Sequence, residues 1–269
     1  MNRDHISTVL KGLVIGGTML VPGVSGGSMA ITLGIYNRLI SSLSSIRRPK
    51  KETLVFLSLF VLGAGVGMLL FANPLLTLIN RYQKPTLYFF LGAVAGAIPM
   101  IYKQARVKTF SLKCAVYVMS GVLIVCVLSI LPTDLIHSAA TRGVRQTLLL
   151  LAAGLVAAVA LILPGISVSY FLLLMGLYDM TMQAISGLDV MFLLPLAAGL
   201  MIGILLATRL LDQAMTKYPQ TAYLIILGFI IGSIAEAFPG VPMGWEWILC
   251  ILTASAGFRA IAVLSNLEG

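Results

Sequence analysis

The chain has 269 residues, of which 59% are hydrophobic and 10% charged, with a mean hydropathy of +1.02 and 18 Lys and Arg against 9 Asp and Glu. Soluble domains carry about 25% charged residues, so a soluble enzyme and a disordered binder are both excluded and a polytopic membrane protein is expected. The positive residues sit in short segments between apolar runs, with no basic domain or stacking motif, so they read as topology signals and not as a nucleic-acid surface.

Lys11 and the apolar stretch behind it resemble a secretory signal, but that stretch continues into Pro22-Gly23 with no A-x-A-like site before it, so cleavage is not expected. The first long apolar segment, 12–46, is interrupted by Pro22-Gly23-Val24-Ser25-Gly26-Gly27-Ser28. Proline removes a backbone donor and glycine frees the backbone, so a broken helix is expected. Three crossings follow at 53–72, 86–102 and 114–131. A second interrupted segment, 146–182, breaks at Pro164-Gly165-Ile166-Ser167-Val168-Ser169, and three more crossings follow at 191–208, 221–238 and 246–264. Each crossing matches the roughly 17–25 apolar residues that span a bilayer. Cys114, Cys126 and Cys250 lie inside apolar stretches without paired spacing, so they read as small core residues, and neither a metal nor a cofactor is expected.

Charge distinguishes two paths for the broken segments. If both return to the side they came from and the N-terminus is cytoplasmic, the inside receives Arg3, Lys11, Arg38, Arg47, Arg48, Lys50, Lys51, Lys103, Arg106, Lys108, Lys113, Arg209, Lys217 and Arg259, and the outside keeps Arg81, Lys84, Arg142 and Arg145. If both cross, the split becomes roughly even, which the positive-inside tendency disfavours. Two re-entrant hairpins are therefore expected, with both termini cytoplasmic.

The chain also repeats itself. Pro22-Gly-Val-Ser25 recurs as Pro164-Gly-Ile-Ser167, and Gly34-Ile-Tyr36-Asn37 recurs as Gly176-Leu-Tyr178-Asp179, both at an offset of 142. At an offset of 136, Gly63 pairs with Gly199, Gly67 with Gly203, Tyr82 with Tyr218, Gly92 with Gly228, Cys114 with Cys250 and Gly121 with Gly257. This predicts an all-α polytopic protein of two units, 1–134 and 135–269, each a re-entrant hairpin plus three transmembrane helices. Three is odd, so the second unit is expected to be inverted, the architecture of alternating-access transporters.

Irregular backbone at membrane depth is tolerated only where protein buries it or a wet cavity receives it, so the two tips are expected to face each other across a polar site. Free N–H groups at a following helix start, with Gly23, Ser25, Gly26, Gly27 and Ser28 on one side and Gly165, Ser167 and Ser169 on the other, suit an anion such as phosphate. The plainer reading is that these small residues only let helices pack closely. Charged residues in apolar runs are functional candidates: Arg38 and Arg259 as phosphate partners, Glu236 and Asp179 as carriers of a coupling proton, with snorkelling as the alternative for each. Tyr36, Tyr178, Trp245 and Trp247 read as interfacial anchors, and Gly63-x-Gly65-x-Gly67 and Gly92 to Gly96 as packing seams.

The doubled string of Pro22 to Ser28 with Gly34-Ile-Tyr36, and Pro164 to Ser167 with Gly176-Leu-Tyr178, resembles the PopT family of bacterial polyprenyl-phosphate translocases over nearly the whole chain. That resemblance implies a plasma-membrane protein returning undecaprenyl phosphate from the outer to the cytoplasmic leaflet, its phosphate held by the paired tips and its tail left in lipid. The partners expected are this lipid and the surrounding membrane lipids, with a proton or Na+ as coupling ion read from the charged candidates and not from the resemblance. Val168 and Ser169 stand where the first tip has Gly26 and Gly27, which puts equal phosphate contacts from the two tips in question. Gly23-Val-Ser25-Gly-Gly27 also matches G-x-S-x-G and the serine motif of rhomboid proteases, but a nucleophilic serine needs a base in reach, and His5 and His137 both lie outside the apolar runs. Undecaprenyl-pyrophosphate phosphatases share inverted repeats and a Pro-Gly-x-Ser-Arg-Ser-Gly tip. Here Gly26 and Val168 occupy the arginine position and no Glu-x-x-x-Glu pair occurs, so the tips look fit to bind phosphate and poorly equipped to cleave it. An ion-coupled carrier of a small anion is the other alternative.

Overall fold

The structure is a computed structural model that describes residues 3–19, 21, 24–46, 49–107, 111–130, 144–166, 168–187 and 189–268. All regular structure among them is helical. The first interrupted segment forms α1 (Arg3–Thr18), α2 (Gly26–Thr32) and α3 (Tyr36–Ser44); three crossings follow as α4 (Lys51–Arg81), α5 (Gln83–Gly96) with α6 (Ile98–Gln104), and α7 (Leu112–Ile130). The second segment forms α8 (Val144–Ile162), α9 (Val168–Leu174) and α10 (Tyr178–Ser186), followed by α11 (Val190–Lys217), α12 (Pro219–Glu236) and α13 (Glu246–Glu268). Each of the six stretches expected to cross a membrane overlaps a described helix long and apolar enough to do so, which makes the protein an all-α polytopic membrane protein.

α4 runs well past the expected end at residue 72 because it continues through Pro74. Proline breaks helices in water, but inside hydrocarbon the alternative is a run of unsatisfied backbone groups, so the helix persists. At 31 residues it is about 46 Å long at 1.5 Å per residue, more than the ~30 Å hydrocarbon core, so it tilts or protrudes.

The short helices end for the same local reason. After α2 the chain reaches Gly34 at φ +68°, with Gly34 N–H donating to the Ile31 carbonyl and Ile35 N–H to the Ala30 carbonyl. After α9, Gly176 at φ +63° does the same through Leu173 and Leu172. Both are left-handed glycine stops that satisfy the last carbonyls of a helix, so the doubled Gly-x-Tyr string is a doubled helix terminator.

Helices pack in four close pairs through glycines that admit a neighbouring backbone. Gly63 lies against the Val9 carbonyl and Gly67 against Leu13 in the α1/α4 pair; Gly199 against Leu151 and Gly203 against Leu155 in α8/α11. Gly92 meets Ala254 and Gly96 meets Phe258 in α5/α13, while Gly228 meets Val118 and Gly232 meets Val125 in α7/α12. Contact positions advance together along both members of every pair, so each pair runs parallel. The seams read from Gly63, Gly67, Gly92 and Gly96 are thus packing surfaces; Gly65 faces open space. Helices α5 and α6, and α12, are more than half buried, whereas the spans of α4, α7, α11 and α13 are only 17% buried and present apolar side chains outward, as lipid contact requires. Cys114 and Cys250 are buried and Cys126 half-buried.

Candidate substrate-binding site

The two tips touch. Ser25 has extended backbone (φ −86°, ψ 139°) and caps α2, its hydroxyl accepting from Ser28 N–H at 3.2 Å, as expected of serine at this position. The same oxygen accepts from Gly165 N–H of the other tip at 3.0 Å, and Ser28 Oγ lies 3.3 Å away. With two N–H groups already donating to it, the Ser25 oxygen keeps its own O–H as a donor.

Gly165 reaches this position because its backbone is left-handed, φ +82°, a region open to glycine. Nothing larger fits there: a Cβ would lie 2.5 Å from the Phe229 carbonyl oxygen and 2.9 Å from Ser233 Cβ. Gly27 has the same role opposite, where a Cβ would come within 3.1 Å of Pro164 Cα. Tyr36 completes the contact by donating its hydroxyl to the Ile162 carbonyl at 2.9 Å. That carbonyl is in the last turn of α8, where intrahelical donors run out. Tyr36 is therefore not an interfacial anchor: it is only 4% exposed and ties the two tips. Trp245 and Trp247 are exposed as expected of anchors, and Tyr178 is half-buried.

Beside the contact, Ser25 and Ser28 line a narrow crevice with Ser233 of α12 and apolar residues of α5, among them Leu87 and Phe90. Ser28 and Ser233 are almost wholly buried. Thr32 donates to the Ser28 carbonyl and Ser233 to Ile230, and among the described residues no buried side-chain polar atom lacks a partner. The lining is uncharged, so anything held here is held by hydroxyls and backbone N–H groups.

The charged candidates lie elsewhere. Arg38 is exposed on α3, its guanidinium 4.3 Å from the Phe56 ring centroid. Arg259 is exposed on α13, and Asp179 in the first turn of α10. Glu236 is exposed at the end of α12, three residues beyond Ser233 and flanked by Ala237, which lines the crevice. Gly26 is half-buried beside Ser25. Gly23, Ser167 and the side chain of Ser169 lie outside the described residues. Sequence reasoning missed Ser233, whose signal was a hydroxyl next to Gly232 in an otherwise apolar run. It also missed the role of Tyr36, whose signal was its place in the doubled string.

Two polar contacts lie far from the tips. Ser44, at the end of α3, donates to Asp212 Oδ2 of α11 at 2.8 Å, and Lys84 at the start of α5 pairs with Glu246 Oε2 of α13 at 3.2 Å. Among the described residues no group of three His, Cys, Asp or Glu is placed to hold a metal.

The profile of the undecaprenyl phosphate translocase-like family matches residues 15–249. A polyprenyl-phosphate transporter of Staphylococcus aureus (strain NCTC 8325 / PS 47) is 32% identical over 272 residues, covering 96% of this chain and 95% of that one. A polyprenyl-phosphate transporter of Vibrio cholerae serotype O1 is 26% identical over 279 residues, covering 98% and 86%. No solved structure matches. With the profile spanning both tips and reaching the first turn of α13, and a relative this similar over nearly its whole length, the chain belongs to the undecaprenyl phosphate translocase-like family.

Proposed function

We propose that this protein carries undecaprenyl phosphate from the outer to the cytoplasmic leaflet of the bacterial plasma membrane without covalent chemistry, and that the phosphate enters between the two tips. The observation that carries this reading is the Ser25–Gly165 bond. A phosphate oxygen is a stronger acceptor than a hydroxyl, so the headgroup takes the Gly165 N–H and accepts from the Ser25 O–H as well. The tips part to admit it and close behind it. Bare phosphate in hydrocarbon is prohibitive, and neutral donors stabilise it without binding it too tightly to leave. The relatives, both named polyprenyl-phosphate transporters, support the choice of a prenyl lipid.

The proposed architecture is two inverted copies, 1–134 and 135–269, with hairpins that return to their starting side. Three sets of contacts support it. The parallel α1/α4 and α8/α11 pairs require the chain between their members to turn back. With both hairpins returning, successive crossings point α5 and α13 the same way, and α7 and α12 the same way, as their packing has them. No salt bridge spans a bilayer, so Lys84 and Glu246 belong to one face, and Ser44 and Asp212 share a level nearer the other. The charge bias makes that other face cytoplasmic, with both termini there. Single cysteines at Lys84 and Met243, in a background without the native cysteines, are expected to react with an impermeant maleimide from outside intact cells. Cysteines at Lys51 and Lys217 are expected to react only after permeabilisation. Labelling of Lys84 and Met243 from opposite sides would remove the inverted arrangement.

Ser25→Ala tests the site. It loses a hydrogen bond to a charged group, about 1.5–3 kcal/mol, against a neutral tie of about 0.5–1.5 kcal/mol in the empty protein. The charged term is larger, so undecaprenyl phosphate is expected to bind some five- to tenfold more weakly, about 1–1.4 kcal/mol. Undiminished affinity would take the tips out of the site. For coupling, a proton or Na+ is proposed, with Glu236 at the crevice edge as the first proton carrier and Asp179 as the second. In reconstituted vesicles, Glu236→Gln and Asp179→Asn are expected to flatten the pH dependence of transport, and an unchanged profile in both would end that assignment.

A further inference from the structure

We infer that the first isoprene units of the lipid do not stay in bulk membrane but lie in an apolar groove that begins at the first tip and follows α3 toward its Ser44 end. This rests on the translocase reading above and assigns the part of the substrate that reading left in lipid.

The groove has a volume of about 190 Å³ and runs between α1, α2, α3 and Phe60 of α4 on one side and α8 and α11 on the other. An apolar void of about 150 Å³ is enough to admit a benzene-sized hydrocarbon, so one or two five-carbon units fit. Its head end is formed by Gly26 and Gly27, the residues directly after Ser25, so the groove begins one residue from the proposed headgroup contact. The absence of side chains keeps that entrance open: a Cβ on Gly26 would come within 3.0 Å of Met19 Sδ, closing the entrance where Met19 also lines the groove. Further along, the wall is Leu39, Ile40 and Leu43. Tyr36 also lines it, but its hydroxyl is taken by the Ile162 carbonyl, so the tyrosine offers ring carbon and not a polar atom.

These features choose the occupant. A ligand spanning crevice and groove has an anionic or strongly accepting head and a hydrocarbon chain attached directly to it. A prenyl monophosphate has that form, whereas a glycerophospholipid places a glycerol and a second chain where the tips leave no space. Because α3 and α11 come from different units, a chain in the groove touches both, and tail binding is thereby coupled to the relation of the two tips.

The test uses the full chain in nanodiscs with a two-isoprene phosphate carrying a diazirine on its second unit. Photolabelling is expected at Leu39, Leu43 or Phe60, abolished by excess undecaprenyl phosphate and retained under excess phosphatidylglycerol. Ala30→Phe, which fills the groove from α2, is expected to lower undecaprenyl phosphate affinity at least tenfold. Should that variant not fold, Leu43→Trp at the half-exposed far end serves instead, with lipid-facing Leu194→Phe as the control that changes nothing. Inorganic phosphate affinity is expected to stay the same in either variant. Labelling on the outward face of α11, equal competition by phosphatidylglycerol, or full affinity in the filled variant overturns the groove while leaving the translocase reading in place. A wild-type chain that does not bind undecaprenyl phosphate overturns both.

Discussion

Gly16→Leu is expected to abolish folded protein. A Cβ at Gly16 would overlap the carbonyl carbon, carbonyl oxygen and Cα of Ala64, all backbone atoms of α4 that no rotamer change can move. Overpacking costs about 1–3 kcal/mol where neighbours relax and more where they do not. Here relief requires α1 and α4 to separate along their length, which also dissolves the contacts of Gly12 with Phe60, Gly63 with Val9 and Gly67 with Leu13. Against a total stability of about 5–15 kcal/mol, the loss of that whole interface is decisive. The readout is the monodisperse yield by size exclusion and the thermal unfolding midpoint. Gly65→Ala in the same helix meets nothing within 4 Å and is expected to be neutral or slightly stabilising, since alanine is the better helix former. If Gly16→Leu matched Gly65→Ala in yield and midpoint, the close α1/α4 contact would be wrong.

Gly165→Ala is expected to leave a folded protein with transport reduced at least tenfold. A left-handed backbone costs an L-residue roughly 1–2 kcal/mol, and the new methyl group is crowded by the Phe229 carbonyl and Ser233. The tip shifts, and with it the N–H that meets Ser25. Gly240 supplies the control, because its φ of +85° is nearly the same while nothing lies within 4 Å of its Cβ direction. Gly240→Ala therefore carries the backbone strain without the crowding, and transport in proteoliposomes is expected to survive it. Equal loss in both variants would mean that strain, and not the meeting of the tips, is what transport depends on.

The crossings were legible because hydrocarbon imposes one rule on composition: a stretch of about 20 apolar residues has little choice but to span. The broken segments were legible for the opposite reason, since Pro164-Gly165 cannot continue a helix. The Gly-x-Tyr echo marked a real structural element, but what it does, stopping a helix at Gly34 and Gly176, follows from backbone angles that composition does not display. Tyr36 was misread as an anchor because a tyrosine near a helix end has the same local signature at a lipid interface and in a core. Only the arrival of Ile162, 126 positions away, tells them apart. Arg38 and Arg259 were plausible phosphate partners by charge alone, yet side-chain direction depends on which helix face packs inward. On α13 the close approach of Gly257 to Phe89 sets that face, and both arginines fall on the exposed side of their helices.

The four glycine-welded pairs do not divide along the sequence repeat. Two of them, α1/α4 and α8/α11, each lie within one half of the chain, but α5/α13 and α7/α12 each join one half to the other. The halves are thus interlocked like clasped hands, and neither can rock as a body without tearing a seam of backbone-to-backbone contact. The outer pairs, α1 with α4 and α8 with α11, carry no described glycine seam across the halves; single hydrogen bonds join them there, Ser25 with Gly165 and Ser44 with Asp212.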